Sequence, residues 1–264
     1  MSILATMKYA LQFLILATLS IPAIAQDTTS GKTVRIGNTK VQIITSCFIP
    51  CNNGILFLNV HENEKTSVNA ATEFMNNYGG KMIRLKHSGE RNISFYIGKS
   101  RFFFDPNRIY SNKGIQATLK KLSYYTPESY KQVQAFSREI LKPLQNQKLL
   151  IALHNNTDEN YSIKNYQEGG DEENNAKEVY VNPEMDTDDF IITTDSSIYR
   201  RIVEKNINVV LQDNKRVADD GSLSVYAAKN NIPYLNIEAQ EGHYKEQLAM
   251  LEAIEDIIKD YRSK

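Results

Sequence analysis

A chain of 264 residues is long enough to bury one sizeable core or two small ones. Its 31 basic residues are matched by 31 acidic ones, so its charge gives no reason to expect nucleic acid or an anionic membrane surface as a partner. Trp is absent, and 15 Tyr with 10 Phe supply the aromatic bulk for core and pocket walls.

The first segment reads as an address. Lys8 gives a positive start, residues 11–21 are apolar, and Ala23-Ile24-Ala25 is a small-x-small cleavage signal before Gln26. The apolar run is short for a membrane-spanning helix. Residues 1–25 are therefore expected to be a cleaved secretory signal. Residues 26–264 are expected to form the exported domain, periplasmic or extracellular, with no stable membrane insertion after cleavage. Cys47 and Cys51 are the two cysteines. Export permits a bridge between them that clips a local turn, and two free thiols or a metal pair are the alternatives.

Residues 26–32 are polar and expected to be disordered. A hairpin is predicted from 34–36 and 41–44 around Gly37-Asn38. After a turn over 47–54, Ile55-Leu56-Phe57-Leu58 reads as a buried strand, followed by a helix over 65–78. Further strands are predicted at 82–85, 95–97 and 101–104. Thr126 and Pro127 open a helix over 127–144, with Tyr130, Val133, Phe136, Ile140 and Leu144 at helical spacing. The continuous apolar run 149–153 is a second buried strand, and 167–177 reads as an acidic, solvated loop. Short strands at 189–193 and 209–211 flank a helix over 195–205. A helix over 223–229, a strand over 233–237 and an amphipathic helix over 243–261 complete the chain. Alternating strands and helices without an internal repeat predict a single α/β domain, with a mixed, mostly parallel central β-sheet flanked by helices.

Four of the predicted strands end in polar residues suited to binding a metal ion or a carboxylate. His61 and Glu64 follow the first buried strand, Asn107 and Arg108 follow 101–104, His154 follows 149–153 and Glu238 follows 233–237. Ligands bind at the carboxyl ends of strands in open α/β sheets. A single His–Glu pair there more often marks a solvated loop. Two His and one Glu together form a three-ligand zinc set with a fourth position open to water. Glu238 is then a candidate base for that water, and Arg108 beside Asn107 can clamp a carboxylate through forked hydrogen bonds. The bland alternatives are a surface position for Glu238 and a structural ion pair for Arg108. Glu241 is a second candidate base, and His87 and His243 are expected to be ordinary surface or helix-start residues.

Four segments carry a resemblance in a common order: His61-Glu62-Asn63-Glu64, Asp105-Pro106-Asn107-Arg108-Ile109-Tyr110, Leu153-His154-Asn155-Asn156-Thr157 and Tyr234-Leu235-Asn236-Ile237-Glu238. They resemble the zinc carboxypeptidase clan, and within it the aspartoacylase and succinylglutamate desuccinylase branch. Gly221-Ser222-Leu223 resembles the start of the helix that precedes the catalytic Glu strand in carboxypeptidases. The resemblance implies zinc held by His61, Glu64 and His154, Glu238 as the catalytic base, Arg91 as the group that polarises the scissile carbonyl, and Asn107 and Arg108 as substrate-binding residues. It implies a hydrolase cleaving an amide next to a free carboxylate, with a small peptide, a cell-wall peptide or an N-acyl amino acid as substrate. Glu62 stands where that branch has Gly, and residues 214–220 lack the Tyr that many carboxypeptidases carry there. These departures leave a second class of function, an exported binding protein on the same fold without turnover.

Overall fold

Three apolar segments, buried on both faces, make the centre of the molecule: β3 (Ile55–Asn59), β7 (Leu149–Asn156) and β11 (Tyr234–Gln240). Such runs fit central strands of a parallel sheet covered on both sides. The computed structural model describes residues 28–51, 54–158 and 160–263, so the signal predicted at 1–25 lies outside the described residues.

The remaining strands are β1 (Thr28–Ile36), β2 (Thr39–Phe48), β4 (Gly80–Lys86), β8 (Ala176–Tyr180), β9 (Phe190–Thr193) and β10 (Val209–Gln212), in the order β1-β2-β4-β3-β7-β11-β9-β10-β8. β4, β3, β7 and β11 run parallel, so their carboxyl ends share one edge. β2 joins β4, and β9 joins β11, in the antiparallel sense. A separate hairpin of β5 (Ile93–Ile97) and β6 (Ser100–Phe104) packs beside this sheet. The fold is therefore the single α/β domain with a mixed central sheet that the sequence predicts.

Side chains alternate across each central strand. Leu149, Ile151 and Leu153 face a core shared with α1 (Lys65–Tyr78), α4 (Ser196–Glu204), α6 (Tyr244–Ala253) and α7 (Glu255–Ser263). Leu150 and Ala152 face a second core with α2 (Asn112–Leu122), α3 (Pro127–Leu141) and α5 (Leu223–Lys229). A small third cluster, Ile163, Tyr166, Phe190, Ile192 and Val210, adjoins it. His154 has the parity of Leu150 and Ala152, and Glu238 that of Tyr234, so both turn to the side of the second core.

Several expectations change. Residues 28–32 are not disordered but pair with β2 through Lys32↔Ile43. They are exposed, so their pairing is by backbone and leaves no apolar pattern to read. The acidic segment 167–177 is not loop throughout, because Ala176 and Lys177 begin edge strand β8. The helix predicted over 127–144 stops at Leu141, where a 3-10 turn over Lys142–Leu144 accommodates Pro143. The terminal helix divides into α6 and α7 at Ile254. Helix α2 has only Ile115 and Leu119 as large buried apolar residues, too few for a periodic signal. Cys47 and Cys51 are bridged, with Cα atoms 5.3 Å apart.

Candidate metal centre

The site is built at the shared carboxyl edge of β3, β7 and β11. Past β3 the chain turns, and the Glu64 N–H donates to the His61 carbonyl at 3.2 Å. Glu64 occupies the position before α1, yet its side chain does not cap that helix. It turns inward, with Oε1 2.7 Å from His61 Nδ1 and Oε2 2.9 Å from His154 Nδ1. The two Nδ1 atoms are 3.2 Å apart. His61, Glu64 and His154 are all buried. Among the described residues they form a group whose donor atoms lie close enough to share one metal ion.

The far side of each imidazole is also engaged. His61 Nε2 lies 2.8 Å from Asp105 Oδ1, and that oxygen also accepts the Asn107 N–H at 2.7 Å. Asp105 therefore ties the loop after β6 to His61. His154 Nε2 lies 3.4 Å from Asn107 Nδ2, while the buried Asn107 Oδ1 has no partner. Amide oxygen and nitrogen are assigned from the bonds they make. Turning the amide puts Oδ1 opposite His154 Nε2, which then carries the proton and leaves Nδ1 a free electron pair. Asp105 accepting from His61 Nε2 does the same for His61. Both rings then present Nδ1 as an unprotonated ligand toward Glu64, which is what a divalent metal requires. The residues present fit the ion.

Charge accumulates in this cluster. Burial lowers the His61 pKa, but Glu64 and Asp105 outweigh it, and the net shift is upward. Burial raises the carboxyl of Glu64, yet His61 and His154 hold it well below the usual carboxylate range. Asp105 is likewise raised by burial and drawn down further by its bond to His61. Glu238 behaves oppositely: burial pushes its pKa up, His154 opposes this, and the charge on Glu64 adds to it.

The structure brings the other predicted residues to the same edge. Glu238 is buried, pairs in register with His154, and accepts a hydrogen bond from Asn236 Nδ2 at 2.9 Å. Arg91 approaches from the exposed side and forms an ion pair with Glu64 Oε1. Arg108 follows Asn107 on the 3-10 turn Pro106–Arg108, with its Nε 3.4 Å from Asp220 Oδ2. Glu241 is outside the cluster and accepts from Thr66 Oγ1 at 3.0 Å. His243 pairs with Asp189 at 2.9 Å. The side chain of His87 is buried rather than on the surface. Glu62 acts on the neighbouring backbone, where its Oε2 accepts the N–H groups of His87, Ser88 and Gly89 at 2.5, 2.8 and 2.8 Å. That carboxylate fixes the turn leading to Arg91.

Sequence reasoning gave no role to Asp105, although it sits in the Asp-Pro-Asn-Arg segment. It also missed the wall made by Tyr161 and Tyr166, whose hydroxyls bond to each other. Both phenols are pushed up, first by burial, and the charge of Glu238 contributes. Tyr161 lies in irregular chain and Tyr166 ends the four-residue 3-10 turn Ile163–Tyr166, too short for a periodic pattern, so no pattern marked them.

No known family's sequence pattern matches the chain, and no curated protein matches it. Several solved structures share its shape distantly. An aspartoacylase family protein from Mesorhizobium loti is 12% identical over 87% of this chain and 68% of that one, with a TM-score of 0.42. The succinylglutamate desuccinylase from Chromobacterium violaceum is 11% identical over 84% of this chain and 67% of that one, with a TM-score of 0.44. An ectoine utilization protein from Ruegeria pomeroyi is 10% identical over 92% of this chain and 69% of that one, with a TM-score of 0.44.

Proposed function

We propose that the chain is a zinc-dependent hydrolase cleaving an amide bond beside a free carboxylate, and that it works outside the cytoplasm after loss of residues 1–25. The observation that supports this is one buried cluster: His61 Nδ1, His154 Nδ1 and the Glu64 carboxylate converge, with Glu238 beside His154 on the adjoining strand. Nitrogen and carboxylate donors suit zinc, and three protein ligands leave a fourth position. When bound, zinc brings the pKa of water from about 15.7 toward about 7. A buried glutamate with a raised pKa suits a group that accepts a proton from water and passes it to the leaving nitrogen. Arg91 is an exposed guanidinium at the rim and can turn toward negative charge developing on the carbonyl oxygen. Arg108, partly exposed beside Asn107, anchors the substrate carboxylate. The substrate class is a small peptide, a cell-wall peptide or an N-acyl amino acid.

The test is metal analysis of the purified chain, followed by hydrolysis assays on peptides, N-acyl amino acids and cell-wall fragments. The expected result is about one zinc per chain, on the three-ligand count, and activity abolished by a chelator. A chain that holds no zinc and cleaves nothing in the panel would be a binding protein rather than an enzyme.

A further inference from the structure

Arg108 does not stand free at the rim. Its Nε is 3.4 Å from Asp220 Oδ2, and its Nη1 donates to the Asn107 carbonyl at 3.1 Å. Both side chains remain partly exposed, at 40% and 45%. Asp220 is itself anchored, because its Oδ1 accepts the Ser222 N–H at 2.9 Å. The turn that carries it is held against Arg108 from several directions. The Tyr110 N–H donates to the Gly221 carbonyl at 3.0 Å, and Ser111 Oγ donates to Asp219 Oδ1 at 2.7 Å. Gly221 has φ +80°, and a Cβ there would come 2.5 Å from the Arg108 carbonyl oxygen. A Cβ on Gly114 would come 2.3 Å from the Gly221 Cα. Two glycines in direct contact thus let this turn lie on the backbone of Arg108.

We infer that Asp220 is a positioning residue that aligns Arg108 for a ligand carboxylate, and that it sets how strongly the site prefers a free acid over its amide. A guanidinium can meet carboxylates along more than one edge. Asp220 Oδ2 faces Nε as an ion pair at 3.4 Å and the Asn107 carbonyl accepts from Nη1, while Nη2 makes no hydrogen bond to the protein among the described residues. The bound carboxylate of Asp220 is fixed by Ser222, so it orients the fork without swinging with it. Its negative charge also stands near the incoming carboxylate and weakens the attraction. Asp220 therefore contributes in two opposed ways, by alignment and by repulsion, and substitution shows which of them wins.

This inference rests on Arg108 being the carboxylate anchor, so the experiment tests both. N-acetylglycine and its carboxamide are titrated into the full chain and its variants, with binding followed by NMR. Wild type should bind the acid more tightly than the amide, and Arg108→Ala should remove that preference. Failure of either result overturns the anchor. Asp220→Ala should weaken binding of the acid by about three- to tenfold, the scale of leaving one rotamer-rich side chain unordered, and leave the amide unchanged. Asp220→Asn has one acceptor oxygen where Asp220 uses two, so it can serve the Ser222 N–H or Arg108 Nε but not both, and the acid should bind it more weakly than wild type. Once a cleaved substrate is known, the Ala variant should raise KM and spare kcat. If the acid preference depends on Arg108 but both Asp220 variants tighten binding, Asp220 is a competitor and not a positioner. Unchanged binding in both variants would also sink the inference.

Discussion

At His61 the imidazole is held from both ends, by Glu64 at Nδ1 and by Asp105 at Nε2. Such outer partners fix the tautomer and raise ligand basicity, and their loss commonly costs about 10–100-fold in metal affinity. Asp105→Ala should therefore lower zinc affinity by about that factor, measured by competition with a coloured chelator, while Glu238→Gln should leave it unchanged. Glu238→Gln should instead reduce turnover by at least about 10²-fold, the lower bound for a positioned acid–base group. Zinc loss in the Glu238 variant, or full turnover, would remove it from the base role. His61, Glu64, His154 and Glu238 were legible because each follows an apolar run that any strand pattern exposes. Asp105 was not, because what it does is make a hydrogen bond to a residue 44 positions away. Asp220 was hidden for the same reason, far beyond Arg108 in the chain and joined to it only by folding.

Between elements, two contacts decide how the site's edges are held. Gly114 near the start of α2 touches Gly221, and Gly114→Ala sets two effects against each other. Ala is favoured over Gly inside a helix by about 1 kcal/mol. Its Cβ, however, would lie 2.3 Å from the Gly221 Cα and 2.6 Å from the Arg108 carbonyl oxygen. Both neighbours are backbone, so the clash wins, and a net loss of about 1–3 kcal/mol is expected in urea unfolding. Gly31→Ala in β1, where nothing lies within 4 Å, should change stability by less than about 0.5 kcal/mol. The second contact is His243 with the buried Asp189, which joins the start of α6 to the start of β9. Burial lowers the His243 pKa, Asp189 outweighs it, and the net shift is above the ordinary 6.5. A raised histidine contributes stability that is complete below its unfolded pKa and is lost as pH rises through its folded one. His243→Ala should therefore cost more stability at about pH 6 than at about pH 9, and an equal cost at both would show the pair to be neutral. The elements themselves were read best where burial is two-sided, as in β3 and β7, and worst where it is absent, as in the first half of β1.

For the molecule as a whole, the candidate metal centre links stability to pH. Without metal, the buried cluster is held by its own charges. Glu64 and Asp105, with depressed folded pKa values, contribute stability above their unfolded values of 4.5 and 3.8 and lose it as pH falls. His61, with a raised folded pKa, contributes stability below 6.5 and loses it as pH rises through the folded value. The metal-free protein should therefore be favoured between these limits, in mildly acidic solution. Metal binding runs the other way, because a ligating imidazole nitrogen must give up its proton, so apparent affinity climbs with pH. A ligand at about 1,000 times its Kd adds about 4.1 kcal/mol of stability. The rise in Tm on adding zinc to the metal-free protein should thus be larger at about pH 8 than at about pH 6, since the free state weakens while affinity grows. Calorimetry at the lower pH should also show protons released to buffer on binding. Equal Tm shifts at the two pH values, with no proton release, would mean that His61 is not a ligand. A His61→Ala variant with an unchanged zinc-dependent Tm shift would say the same without relying on the pH series.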